Sequence, residues 1–282
     1  MSIQKIKNHT YVETDFMGAN VSCIDTGHGL ILIDTPHMPA EMRQWKEALG
    51  RISNKDIAYV IDTHHHFDHC LGNAFFSSNV IAHQSCYEEM LKEDGTMRRY
   101  FVSDIPDMPA EMKEELYAMP LALPRITFSQ RMWLHLGHAN LELIHTGGHA
   151  RSCIMIYDMD DKILFTGDNL LGGRHPYKGQ ADFSQWIQSL ELMQGMDIEV
   201  IVPGHGEICD KSEIGRMLEY LNQMHQRVGQ LIKQGKDRAA AIRETHDLIG
   251  YYPIDAGEEA MHESWFDEGI GRLYDQLIAS LK

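Results

Sequence analysis

The chain has 282 residues, 43% of them hydrophobic, and carries 25 lysines and arginines against 41 aspartates and glutamates, a formal charge of −16. This length suits one large domain or two small ones, and so acidic a surface repels polyphosphate and anionic lipid, which sets nucleic acid and membranes aside as partners. No run reaches the roughly 20 apolar residues needed to cross a bilayer and the first ten residues carry no apolar leader, so a cytoplasmic protein is expected.

In chain order, β-branched and apolar runs bounded by Gly, Pro or Asp predict strands over 21–25 and 30–34, joined by the turn Thr26-Gly27-His28-Gly29. A helix follows over 40–51, then strands over 59–62 and 80–82 and a helix over 84–92. The segment 96–129, rich in Met and Pro with one short helix over 110–117, reads as an excursion over the sheet edge and a candidate lid. Strands are expected over 132–136, 141–145, 153–158 and 163–166, with the acidic turn Met159-Asp160-Asp161-Lys162 between the last two. A helix over 183–195 and a strand over 200–202 complete a mixed α/β layered body.

From Lys211 onward the pattern is wholly helical. Ile214, Met217, Leu221, Met224, Val228 and Leu231 step by three and four along one long helix ended by Gly235. The stripe serves packing on the chain's own sheet or, alternatively, a homodimer seam. Residues 1–211 are therefore read as the catalytic domain and 212–282 as a helical C-terminal extension.

The five cysteines, Cys23, Cys70, Cys86, Cys153 and Cys209, are scattered and form no CxxC pair, so neither a disulfide framework nor a cysteine zinc site is indicated. The excess lies in histidine, with 17 in the chain. Four of them cluster at Thr63-His64-His65-His66-Phe67-Asp68-His69, directly after the predicted strand 59–62. In extended backbone, residues two apart point the same way, so His64, His66 and Asp68 share a side and His69 follows at the bend, while His65 faces away. Imidazole and carboxylate are the donors preferred by zinc and, less selectively, by iron or manganese. Three further strands end in a glycine turn that delivers a metal-capable residue: His149 after Thr146-Gly147-Gly148, Asp168 after Gly167, and His205 between Gly204 and Gly206.

Asp34, the run 63–69, Thr146-Gly147-Gly148-His149, Phe165-Thr166-Gly167-Asp168 and Val202-Pro203-Gly204-His205-Gly206 together resemble the metallo-β-lactamase superfamily, over roughly residues 15 to 210. The resemblance implies a four-layer αββα sandwich, here with its helical C-terminal extension, and metals at one edge between the sheets. It implies His64, His66 and His149 on one metal, Asp68, His69 and His205 on a second, Asp168 bridging both, and Asp34 supporting the ligand loop. Two Zn2+ per chain are expected, with Fe or Mn as alternatives. Two such cations about 3.5–4 Å apart can share a water and bring its pKa toward neutrality. The expected activity is thus a binuclear metallohydrolase whose bridging hydroxide, oriented by Asp68, cleaves an ester, thioester, lactone or related acyl bond of a small molecule.

Relatives that destroy β-lactams commonly carry Cys or Ser at the position of Asp168, and lactonase relatives often have Tyr where Leu171 stands, so both activities are secondary readings. Persulfide dioxygenase relatives keep a similar motif set on a single iron and supply the main alternative. A non-catalytic metal-binding scaffold is disfavoured because all seven ligands are present. Candidate substrate contacts are Arg151, Arg174, His175 and Tyr177, able to hold a carboxylate or stabilise an oxyanion, with the Met-rich stretch 97–119 lining the lid.

Overall fold

The computed structural model describes residues 3–93, 102 and 108–281. They divide into two units: the first comprises Met1–His145 with Ile154–Phe165, the second Thr146–Cys153 with Thr166–Lys282.

The first unit is built on a seven-stranded sheet in simple sequential order. Strands β1 (Gln4–Lys5), β2 (Thr10–Glu13), β3 (Val21–Asp25) and β4 (Leu30–Ile33) run antiparallel. Strands β5 (Ile57–Ile61), β6 (Val80–His83) and β7 (Ile126–Phe128) then add in parallel. Helix α1 (Pro39–Ile52) makes the crossover from β4 to β5, burying Met42, Trp45, Ala48 and Leu49 at helical spacing. Trp45 meets Phe16, Val21, Leu30, Leu32 and Val60 in one core. Strands β3 and β4 are buried almost throughout, as central strands covered on both faces must be.

Four strands of the second sheet also belong to this unit, in the antiparallel order β11 (Ile163–Phe165), β10 (Ile154–Asp158), β9 (Ala139–His145), β8 (Arg131–Leu136). Strand β8 ends this sheet, and its alternating exposure shows one face more covered than the other.

Two expectations change here. Residues 126–128 of the supposed lid are strand β7, because the β-branched and aromatic Ile126-Thr127-Phe128 pairs with Ile81, Ala82 and His83. The helix in that segment, Ala110–Ala118, packs through Leu116 into a core with Phe67, Leu71 and Met90. Residues 96–101 and 103–107 of the expected lid lie outside the described residues.

The second unit holds strand β12 (Val200–Val202) and the helices Phe183–Gly195, Lys211–Lys233, Arg238–Thr245 and Glu259–Ser280. Asp182, Asp210 and Asp237 cap the first three, each accepting a backbone N–H from the first turn. The stripe Ile214, Met217, Leu221, Met224, Val228 and Leu231 is buried, and the other helices of this unit lie against its helix. No helix among the described residues is long and apolar enough to cross a membrane.

Candidate metal centre

In the first unit the parallel strands β4 and β5 end side by side, with the Asp34 N–H donating to the Ile61 carbonyl. Asp34 takes φ +55°, a left-handed conformation that ends its strand and turns the carboxylate toward the chain after β5. That carboxylate accepts from the Thr63 N–H and hydroxyl, both at 2.7 Å, and from His69 Nδ1–H at 2.7 Å. The Thr63 hydroxyl proton goes to Asp34, so its oxygen accepts from His64 Nδ1–H at 3.2 Å. One buried carboxylate thereby sets the tautomers of His64 and His69 and makes Nε2 the nitrogen each presents to a metal.

His64 stands 4.5 Å from His66 and 4.1 Å from His69, ring centre to ring centre. The short helix Phe67–Cys70 carries Asp68, whose Oδ2 is 3.7 Å from His69 Nε2. His65 is not among the residues whose ligand atoms converge.

Thr35 and Asn73 form a supporting layer. Thr35 N–H donates to the His69 carbonyl at 2.8 Å, and the Asn73 amide donates to both oxygens of Asp62. Burial, followed by the charge of Asp34, pushes the Asp62 carboxyl well above the usual carboxylate range. Cys70 is fully buried, and burial ahead of the neighbouring Asp62 and Cys86 pushes its thiol up, so it stays protonated and inert.

In the second unit, Asp168 sits in the 3₁₀ turn Gly167–Asn169, which opens on the left-handed Gly167. Its Oδ2 lies 3.4 Å from His149 Nε2 and its Oδ1 3.3 Å from His205 Nε2. The carboxylate therefore stands between two imidazoles, one oxygen toward each. His149 Nδ1 faces the Tyr177 carbonyl at 2.9 Å; a carbonyl only accepts, so Nδ1 holds the proton and Nε2 is the ligand nitrogen. Asn169 clamps the preceding turn, accepting the His149 N–H and donating to Thr146 Oγ1 and the Gly147 carbonyl. The Trp186 indole N–H in turn donates to the Asn169 carbonyl at 2.9 Å.

The expected substrate contacts divide. Arg151 is exposed, and Arg174 is exposed beside Asp255 at 3.8 Å. His175 is only 4% exposed and turns into the C-terminal helices, where Nε2–H donates to the Ile249 carbonyl at 2.6 Å and the ring meets Tyr220, Tyr252 and His262. Tyr177 donates its hydroxyl to Glu268. Asn169, Thr63, Thr35 and Asn73 escaped the sequence reading, although Asn169 and Thr63 directly adjoin predicted ligands.

Burial, then the nearby Lys178, lowers the His175 pKa to about 4. Below the ordinary value of about 6.5 the unfolded chain takes up a proton that the folded chain refuses until about 4. Folding stability should therefore fall by about 3 kcal/mol between those values. Urea unfolding of His175→Phe across this window should show a shallower slope than the parent, by up to about 1.4 kcal/mol per pH unit; equal slopes would refute the assignment.

Comparison with known proteins supplies the family. The family model described as metallo-beta-lactamase superfamily matches residues 14–205, more than half of the chain. A beta-lactamase-like protein 2 homolog from Drosophila melanogaster is 26% identical over 82% of this chain and 73% of its own length. The acyl-coenzyme A thioesterase MBLAC2 of Homo sapiens is 27% identical over 64% of this chain and 67% of its own length. Among solved structures, a metallo-beta-lactamase family protein from Thermus thermophilus aligns with a TM-score of 0.70 at 16% identity, covering 96% of this chain and 94% of that one, and shares the fold. With the motif strand ends, the α/β sandwich fold with C-terminal helices, and a metal-capable His/Asp set all in agreement, the chain belongs to the metallo-beta-lactamase superfamily of hydrolases.

Proposed function

We propose that this hydrolase cleaves acyl bonds, with thioesters first among ester, thioester and lactone substrates, and that it works with two divalent cations, zinc foremost. The observation that carries the reading is Asp168 standing between His149 and His205, one carboxylate oxygen toward each Nε2. The donor set fits the ions: every candidate is imidazole nitrogen or carboxylate oxygen, and His64, His69 and His149 each have Nδ1 engaged so that Nε2 faces outward. As the motif resemblance implies, one ion would take His64, His66, His149 and Asp168, the other Asp68, His69 and His205, with Asp168 shared.

Bound there, the cations would polarise the acyl carbonyl and acidify a water molecule. The chain's part is positioning and proton transfer. Asp168 holds the two second-unit histidines in register, and Asp34 fixes the tautomers of His64 and His69. The Asp68 carboxylate accepts the proton of the attacking water and returns it to the departing thiolate or alkoxide, leaving an acid and a free thiol or alcohol. The thioester preference leans on the thioesterase named among the relatives, 27% identical to this chain.

The test is a metal-quantified preparation assayed on acyl-coenzyme A thioesters, aryl esters, lactones, phosphodiesters and β-lactams. Two zinc ions per chain with turnover highest on thioesters is expected. Two bound metals with no hydrolysis of any acyl substrate would sink the reading, and one iron with oxygen uptake on persulfides would replace it with the oxidative one.

A further inference from the structure

Lys178 is the most deeply buried cation among the described residues of the second unit, 1% exposed, and among those residues no carboxylate pairs with it. Its ammonium donates to the Pro176 carbonyl at 2.8 Å and lies 5.7 Å and 5.8 Å from the ring centres of Tyr220 and Phe266. Burial of an unpaired ammonium is costly, and here it lowers the Lys178 pKa to about 7, so at neutral pH the amino group is shared between its charged and neutral forms, both of which can donate a hydrogen bond. The helix Glu259–Ser280 accommodates the stem at Gly269, where a Cβ would come within 2.7 Å of Lys178 Cβ and 3.0 Å of Cε.

Lys178 supplies the nitrogen of the peptide whose carbonyl, that of Tyr177, reaches the metal ligand His149. Residues 175–178 form a strap: at one end His175 donates to the Ile249 carbonyl, and at the other Lys178 packs its stem on Gly269 and folds its amino group back onto the Pro176 carbonyl. Between these two anchors stands the Tyr177 carbonyl, which accepts the proton of His149 Nδ1. A carbonyl held in place selects one imidazole tautomer and one ring direction, whereas a loose one lets the ring turn or shift its proton to Nε2 and lose its donor lone pair.

We propose that Lys178 is a positioning residue: seated against Gly269, it fixes the Tyr177 carbonyl beneath His149 and so holds His149 Nε2 toward Asp168. By this route the C-terminal helices, which supply no ligand, govern the metal affinity of the second unit. The proposal rests on the reading of His149 as a metal ligand, and its primary test needs neither metal nor substrate.

The test follows the His149 ring nitrogens by 15N–1H NMR in metal-free protein at neutral pH, the resonance assigned by its loss in His149→Asn. The parent should show the Nδ1–H form. Lys178→Met keeps the stem and removes the buried donor; Gly269→Ala keeps the ammonium and displaces its stem. Both should mix in the Nε2–H form, and both should weaken cobalt(II) binding by about 10-fold with a changed visible spectrum. Lys178→Met removes a costly buried amine but leaves the Pro176 carbonyl without its donor, so urea unfolding beside the parent, with binding compared where both are folded, separates weaker binding from lost folding. A parent in the Nε2–H form, or folded variants with the parent's tautomer, would overturn the proposal. The expected tautomer shifts in a protein that hydrolyses no acyl substrate would uphold the role of Lys178 and discard the hydrolytic reading.

Discussion

Asp168→Ala should lower acyl hydrolysis by roughly 10²- to 10⁴-fold at saturating metal, the range spanned by loss of one group that acts in the transition state. The geometry makes this side chain hard to replace. It is 6% exposed, and its two oxygens lie 3.4 Å and 3.3 Å from His149 and His205. Alanine leaves two imidazoles with no anion between them, so a metal held there would lose both a ligand and a compensating charge. Metal content measured beside turnover should fall with it. Asp68→Asn tests the other role, because an amide cannot take up the proton of the attacking water; its turnover should drop in the same range even when compared at matched metal content. Near-parental activity in either variant would refute the role given to that residue.

Gly204→Ala should destabilise the second unit by about 3 kcal/mol or more, at the upper end of what overpacking a tight site costs. A Cβ there would stand 2.0 Å from Asp168 Oδ1, 2.7 Å from the Gly167 carbonyl carbon and 2.9 Å from the Asp168 amide nitrogen. Two of these atoms are backbone, in a turn fixed by the Gly204 N–H donating to the Gly167 and Leu170 carbonyls, so no rotamer change relieves the clash. Asp168 must move, and metal affinity should fall with stability. Gly215→Ala is the control: it lies in the helix Lys211–Lys233 with open space at its Cβ, where alanine should gain roughly 0.5–1 kcal/mol through helix propensity. Equal urea midpoints for Gly204→Ala and the parent would show that the glycine is not required by packing.

The candidate metal ligands are nominated from the sequence by local rules. Side-chain alternation in extended backbone groups His64, His66 and Asp68, and a glycine turn after each later strand delivers His149, Asp168 and His205. The strand and helix pattern was legible for the same reason, down to Phe183–Gly195 and Val200–Val202. Short elements with weak periodicity, such as Thr10–Glu13 and Ile126–Phe128, were not, since three or four residues carry too little pattern until a neighbour pairs with them.

What only the tertiary structure decided is which groups hold the ligands in place and where the polar residues after Asp168 go. Asp34 meets His69 across 35 positions of sequence, His175 meets Ile249 across 74, and Tyr177 meets Glu268 across 91. His175 looked like a substrate contact because a loop histidine near a metal motif is chemically suited to that work. The C-terminal helices bury it instead, among Tyr220, Tyr252 and His262, and lower its pKa to about 4. Ligand chemistry resides in residue type and short spacing, which one stretch of chain contains. Tautomer, burial and acidity come from partners brought together by packing, and no local pattern encodes them.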